Sequence, residues 1–414
     1  MAEQHHGREH DAYDAIIVGA RVAGAATALG LARRGARVLL LDTATFPSDT
    51  LSTHLLWSDA LRCLDRLGAL PALLDTGAPP IERFSLRYGQ HSNAAPIPTQ
   101  GKYPPLLSVR RLILDELLLG RVREEARITV REGITVRALL RHWERVVGVC
   151  GTTRTDGSEF TARGAIVIGA DGRHSTVARE VAAAEYDVVP PVLATYYRYF
   201  RGVQPLDTAT LEAFRDAEGG FAYLFPCDGG YWTLALSFPQ EQFDTVRRDH
   251  EAALAAQAAR KDGLADRLHG AEPVSPWRGA GDLRNFFRVP YGPGWALVGD
   301  AGYHRDPITG RGIADALRSA ELLSAALHGV WRGRTTYDAA LAAYQQARDA
   351  FVQPLYNFTV ERPPEGVSAE DWVGALRRVM TDPDYLSTYI GFMATVIPAE
   401  AFYSAEAVYA ASVR

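Results

Sequence analysis

Between residues 15 and 42 the chain reads as strand, glycine turn, helix and strand in immediate succession. Ala15-Ile16-Ile17-Val18 carries no polar residue, as a parallel strand buried on both faces requires. Gly19-Ala20-Arg21-Val22-Ala23-Gly24 follows, and an Ala- and Leu-rich helix is expected from Gly24 to Arg34, ended by Gly35. Arg37-Val38-Leu39-Leu40-Leu41 is a second apolar strand that closes on Asp42. Parallel strands need a crossover, and a helix supplies it here, so the chain is committed to an α/β sheet.

This is the spacing of a dinucleotide-binding turn. Gly19 permits the sharp exit from the strand, and Gly24 lets the helix pack close to the sheet. The backbone of Gly19, Ala20, Arg21, Ala23 and Gly24 is the expected cradle, because free N–H groups and the positive end of a helix dipole receive a pyrophosphate. Asp42, followed by Thr43, ends the second strand where a carboxylate accepts the hydroxyls of an adenosine ribose. It also disfavours a 2′-phosphate, so FAD or NAD is expected in this turn rather than NADP. The middle glycine of the usual fingerprint is Arg21. Its side chain either turns outward or meets the pyrophosphate with its guanidinium.

The 414 residues are too many for one small core and suit two interleaved domains. A formal net charge of -5 argues against nucleic acid or an anionic membrane surface as partner. Cys63, Cys150 and Cys227 share no ligand spacing, so neither a metal site nor a disulfide framework is expected, and a reduced cytoplasm is the simplest setting. The segment before Tyr13 is polar and histidine-rich, without the apolar run of a signal peptide. The apolar stretch Ala15 to Ala32 contains Arg21 and three glycines, so it is read as strand, turn and helix, with no stable membrane insertion.

Two further signatures lie downstream. Ala165-Ile166-Val167-Ile168 runs into Gly169-Ala170-Asp171-Gly172-Arg173-His174-Ser175-Thr176-Val177-Ala178-Arg179, where Ser175 is placed to cap a helix. Gly299-Asp300-Ala301 continues through Pro307, Gly310 and Gly312. In these motifs the chain resembles the single-component FAD-dependent aromatic hydroxylases, the group A flavoprotein monooxygenases related to p-hydroxybenzoate hydroxylase. Their second motif is Asp-Gly-x-x-Ser-x-Val-Arg, and here Arg179 stands one place late. Their third is Gly-Asp-Ala-Ala-His-x-x-x-Pro-x-x-Gly-x-Gly, with Tyr303 here at the histidine position and His304 after it.

The resemblance implies that Asp171 and Gly172 lie close to FAD and that this segment helps hold NAD(P)H. It implies that Asp300 and Ala301 meet the ribityl chain and that Pro307 lies beside the isoalloxazine ring. Gly310, Gly312 and Ile313 then open a helix toward the ring edge that becomes negative on reduction. Arg111, in Ser108-Val109-Arg110-Arg111-Leu112, looks like the family's Arg-x-x-Leu helix start and is given a contact to FAD. Phe46-Pro47-Ser48-Asp49-Thr50-Leu51-Ser52-Thr53-His54 resembles a loop shared by a subgroup of bacterial flavin oxidoreductases. Thr53 and His54 are candidates for hydrogen bonds at ring or substrate, and His54 and Pro307 are the candidate catalytic positions.

Strand periodicity recurs between the motifs. Ile81 to Tyr88 alternates, Ala194 to Phe200 is aromatic, and Phe221–Pro226 and Tyr231–Phe238 flank the hairpin signal Asp228-Gly229-Gly230. Residues 241–268 are Ala-rich and helical. Tyr197, Tyr199, Phe225 and Trp232 are candidate substrate-lining residues, with the core of the sheet as the other reading of each. The C-terminal part from Tyr337 is helical, interrupted at Pro363-Pro364-Glu365-Gly366, and is expected to cover the pocket or form a subunit contact.

The expected fold is α/β: a Rossmann-like FAD-binding domain with a mixed sheet, an inserted antiparallel substrate sheet, and C-terminal helices. The expected boundaries are 13–80, 101–185 and 278–335 for the FAD-binding domain, 81–100 and 186–277 for the substrate domain, and 336–414 for the helical region. No Ser/His/Asp order, HExxH or CxxC argues for hydrolysis or metal work. The resemblance implies a monooxygenase that uses FAD, NADH or NADPH, and O2 to hydroxylate a small aromatic or polyketide-like molecule through a flavin C4a-hydroperoxide. N- or S-oxygenation and geranylgeranyl-reductase-like chemistry are the alternatives, with a vestigial nucleotide-binding protein as a third. Halogenases are relatives, but their Trp-x-Trp-x-Ile-Pro motif is absent here. The protein is expected to act on a small molecule as a monomer or homodimer.

Overall fold

The computed structural model describes residues 13–362 and 378–402. The histidine-rich N-terminal segment and the Pro363-Pro364-Glu365-Gly366 interruption lie outside the described residues. Strand β1 (Tyr13–Val18), helix α1 (Val22–Ala32) and strand β2 (Val38–Asp42) form the expected βαβ unit. Helix α1 begins two residues earlier than its composition predicts, because Arg21 already has cap geometry.

β1 is the centre of an eight-stranded sheet. It pairs in parallel with β2 on one side and with Glu159–Gly169 on the other. Ile128–Glu132 extends the sheet beyond β2, and Trp295–Leu297 extends it beyond Glu159–Gly169, both in parallel. This order brings the carboxyl ends of three strands, Val18, Gly169 and Leu297, into register. Each is followed by one of the three glycine signatures. Ligands of open α/β sheets bind at this end of the strands. One core lies between the sheet and a layer containing α1, Arg111–Arg123 and Gly312–Trp331, and a second lies on the opposite face.

The second sheet also has eight strands. Leu193–Arg201, Trp232–Pro239, Phe221–Pro226 and Thr210–Arg215 run antiparallel to one another. Arg83–Tyr88 adds in parallel to Thr210–Arg215, and His91–Pro96 closes that edge. The parallel pair arises because Arg83–Tyr88 enters from a distant part of the chain and no hairpin links it to its neighbour. Arg278–Ala280 pairs with Leu193–Arg201 and so belongs to this sheet, whereas Glu185–Val189 pairs with Asn285–Arg288 in a small separate sheet.

Alternation gives the second sheet two different faces. Tyr196, Phe200, Leu224, Trp232 and Leu234 share a cluster with Leu254 and Leu264 of the 250–267 helices. Tyr197, Tyr199, Tyr223 and Phe225 occupy the opposite positions. Helix Pro383–Met393 packs against strand His91–Pro96 and contributes Leu386 and Phe392 to the cluster that holds Phe225. Among the described residues no helix is long and apolar enough to cross a membrane. Cys63, Cys150 and Cys227 are free thiols.

Candidate flavin site

The three signatures pack directly on one another. Gly19 has φ 102°, and a Cβ there would lie 2.4 Å from the Ala170 carbonyl oxygen. At Gly24 a Cβ would lie 1.7 Å from the Gly19 carbonyl oxygen. No side chain fits either gap, because both neighbours are backbone. Gly299 approaches Ala23, where a Cβ would stand 2.8 Å from the alanine methyl. Backbone bonds complete the junction: Ala170 N–H donates to Val18 O at 2.8 Å, and Val298 N–H donates to Gly169 O at 2.9 Å.

Two helix starts open at this junction. The first intrahelical bond of α1 runs from Ala25 N–H to Arg21 O, so the N–H groups of Val22, Ala23 and Gly24 have no helical acceptor. In helix Gly312–Trp331 the first runs from Asp315 N–H to Arg311 O. A Cβ on Gly312 would meet no atom within 4 Å, so this helix end faces open space. Asp300 is exposed although Gly299 and Ala301 beside it are buried. Two donor-rich helix ends, an exposed carboxylate and open space at Gly312 fit FAD. Its pyrophosphate would lie at α1 and its ring system near residues 307–313.

Asp42 stands at the end of β2 as expected. Its Oδ2 accepts Ala20 N–H and its Oδ1 accepts Ala44 N–H, each at 2.7 Å. Burial raises its pKa, against those two bonds. Thr43 is exposed, and its hydroxyl donates to Ile134 O at 3.3 Å. Asp171 caps the Thr176–Glu180 helix, accepting Ser175 Oγ–H at 2.5 Å and Thr176 N–H at 2.7 Å. Ser175 Oγ in turn accepts Ala178 N–H at 2.9 Å. Burial raises the Asp171 carboxyl as well.

Arg21 neither turns into solvent nor stands free for a phosphate. Its Nη1 donates to Asp115 Oδ2 at 2.6 Å and to Ser48 O at 3.0 Å. Its Nη2 donates to Ser48 Oγ at 3.1 Å and Asp49 O at 3.2 Å. Asp115 is fully buried and also binds Arg111 one helical turn earlier, at 2.8 Å. Two guanidinium groups thus share one carboxylate beside α1. The i, i+4 spacing from Arg111 was the available sequence signal for Asp115, and it went unread.

His54 is fully buried, with φ 64°. Its Nε2 lies 2.7 Å from Tyr199 Oη, and Tyr197 meets the ring edge-on at 4.9 Å between centroids. Burial first, then the charge of Arg111, lower its pKa to about 3, so the imidazole is neutral. Its Nδ1 is buried without a partner among the described residues. A Cβ on Gly310 would strike Leu55, which follows His54, so this loop abuts the Pro307 turn. Tyr223 Oη donates to Ile308 O at 3.2 Å and ties the second sheet to the same turn. Tyr223 is absent from the sequence candidates although it alternates with Phe225.

The alternation corrects one expectation. Trp232 stands on the far face of the sheet, 5.6 Å from the Arg267 guanidinium, and is separated from Tyr197 and Tyr199 by the sheet itself. Phe225 is on the near face but lies in the core at 2% exposure, among residues of the C-terminal helices. Arg110 was also missed: it binds Asp228 through Nε at 2.9 Å and Nη2 at 2.7 Å and lies 3.8 Å above the Tyr231 ring. Arg311 is fully buried between Asp59 and the Met393 carbonyl, which joins the C-terminal helix to the turn before Gly312.

A cavity of about 400 Å³ flanks the Asp171 motif. Arg173, Arg179, Arg284, Arg288 and His174 line it, against Glu185 and Asp282. Four guanidinium groups facing two carboxylates leave it electropositive.

The model of the FAD-binding domain family matches residues 12–359. A menaquinone reductase of Mycobacterium tuberculosis is 28% identical over 323 residues, 75% of this chain and 76% of that protein. The 6-methylpretetramide 4-monooxygenase of Streptomyces rimosus is 30% identical over 319 residues, 74% of this chain and 73% of that one. Among solved structures, the flavin-dependent brominase Bmp2 superposes with a TM-score of 0.81 at 18% identity, covering 97% of this chain and 98% of that one. PqsL of Pseudomonas aeruginosa, described as a probable FAD-dependent monooxygenase, gives 0.71 at 21% identity, covering 92% and 99%. The protein is a flavin-dependent oxidoreductase and belongs to the FAD-binding family of group A flavoprotein monooxygenases and halogenases.

Proposed function

We propose that the protein is an NAD(P)H-dependent monooxygenase that hydroxylates a small, electron-rich aromatic or polyketide-like molecule. The observation that carries this reading is the aromatic, neutral-histidine face of the second sheet, set against the open helix start at Gly312. FAD, when bound, supplies hydride acceptance and the transfer of one oxygen atom from O2.

The residues of this chain then have four tasks. The N–H groups at α1 hold the pyrophosphate, and Asp42 holds the ribose. The helix start at Gly312 stabilises negative charge on the reduced ring. Tyr197, Tyr199 and His54 form a buried polar-aromatic layer that limits water. The arginine-lined cavity beside Asp171 receives the phosphates of the nicotinamide donor. The 6-methylpretetramide 4-monooxygenase, a 30% identical relative, supports the monooxygenase reading. The menaquinone reductase relatives and a digeranylgeranylglycerophospholipid reductase, 24% identical, support a geranylgeranyl-reductase-like reaction as the second reading.

The test is to load purified protein with FAD and add NADH or NADPH under nitrogen. Oxygen uptake is then followed across phenols, polyketides and amines. Substrate-dependent uptake with one oxygen atom in the product is expected. Saturation of a double bond without oxygen uptake would establish the reductase instead.

A further inference from the structure

Arg311 is the cap residue of helix Gly312–Trp331, at the open start assigned to the flavin ring. Its side chain runs the other way, into the core, and is 1% exposed. The guanidinium pairs with Asp59, in the first turn of helix Ser58–Arg66, and its Nη1 donates to Met393 O at 3.1 Å. Asp59 is buried too, and its Oδ1 accepts the neighbouring Ala60 N–H at 3.0 Å. A buried ion pair is weak support for a fold, since apolar residues of similar volume often do as well. What this pair does place is two opposite charges in a poorly screened interior beside the ring site.

Other charges share this end of the helix. Arg305 donates to Asp315 Oδ2 at 2.9 Å, within the first turn. Burial raises the Asp315 carboxyl, and Arg305, Arg311, Asp59 and Asp300 are the charges that act on it. The Arg311–Asp59 pair is thus in electrical reach of the first turn, as is Asp300, the exposed carboxylate of the flavin site. Asp306 caps the Pro307 turn through Oδ1, its Oδ2 has no partner among the described residues, and burial raises it to about 7.

We propose that Arg311 and Asp59 are positioning residues of charge, a balanced pair that sets the reduction potential of the bound flavin. Hydride transfer brings two electrons and one proton to the ring and leaves it with one negative charge. A lone guanidinium behind the helix start favours that charge, and the paired carboxylate cancels most of the pull. Arg311 cannot shed its proton, so its charge is permanent. A unit charge about 10 Å from the ring, at an effective dielectric of about 20, changes the reduced-to-oxidised ratio by about tenfold or more. This rests on the flavin site and not on the monooxygenase reading, because the potential is read without substrate or oxygen.

Asp59→Asn keeps an oxygen for the Ala60 N–H and leaves the guanidinium unopposed. The double variant Asp59→Asn/Arg311→Gln removes both charges. FAD-loaded proteins are equilibrated with redox dyes under nitrogen at about pH 8.5, above the Asp306 transition. At a fixed potential the reduced-to-oxidised flavin ratio should rise at least about tenfold in Asp59→Asn, about 30 mV for a two-electron couple. The double variant should return to within about threefold of wild type. A smaller rise, or a rise that persists in the double variant, overturns the proposal, because loosened packing would not be undone by a second substitution. Arg311→Gln alone should lower the ratio or leave it, according to whether the orphaned Asp59 stays charged or takes up a proton, and a rise there also overturns it. If Asp59→Asn yields no FAD-loaded protein, the pair is structural and the proposal falls.

Discussion

Tyr199 Oη and His54 Nε2 meet at 2.7 Å, although 145 residues separate them, and the contact joins the second sheet to the loop that follows β2. The imidazole has no other hydrogen bond to its ring atoms among the described residues. Tyr199→Phe should therefore leave both ring nitrogens unpaired in a dry site. The expected loss is about 1–3 kcal/mol in urea unfolding, with a larger relative loss of turnover than of FAD affinity. An unchanged midpoint would mean that the imidazole finds another partner.

His54 also sets a pH dependence. Its folded pKa, about 3, lies below the ordinary histidine value, so the native state binds fewer protons than the unfolded chain as pH falls below about 6.5. Its contribution to stability is present above that value and is lost toward pH 3. Between about pH 6.5 and 4.5 the loss should reach about 2–3 kcal/mol, and His54→Gln should flatten that part of the profile. Thermal unfolding at both pH values checks this.

Two glycines should fail in different ways. Gly24→Ala forces a methyl into the Gly19 carbonyl and should give protein that does not fold or load FAD. Gly312→Ala adds a methyl in open space, so the FAD-free protein should melt within about 1 °C of wild type. Its FAD affinity should drop about tenfold or more, because the cofactor is the group that would meet the methyl. Fluorescence titration with FAD separates the two outcomes.

Arg21→Gly would restore the usual fingerprint and yet should weaken the protein. It removes four hydrogen bonds to Ser48, Asp49 and Asp115 and leaves the buried Asp115 with Arg111 alone. A loss of about 2–3 kcal/mol is expected, with faster proteolytic cleavage within residues 46–54. Equal cleavage rates would show that the loop is held from the other side, where Arg278 binds Asp49 at 2.6 Å.

Much of the nucleotide end was legible because its determinants are local. The apolar strand, the glycines and Asp42 lie within 30 residues of one another, and backbone geometry at Gly19 and Gly24 admits no other residue. Ser175 as a helix cap was readable for the same reason. The partner of Arg21 was not readable, since Asp115 sits 94 positions away on another helix. The face of each aromatic on the second sheet also required the register of the strands. One position along a strand reverses a side chain, and composition is blind to that. By itself the sequence determined a dinucleotide turn, two sheets and a cofactor family, because short-range sterics and periodicity suffice for these. Only the tertiary structure decided that Arg21 ties down a loop, that Trp232 faces away, and that His54 and Asp306 are buried with an unpaired atom each, because burial is a property of what packs around a residue.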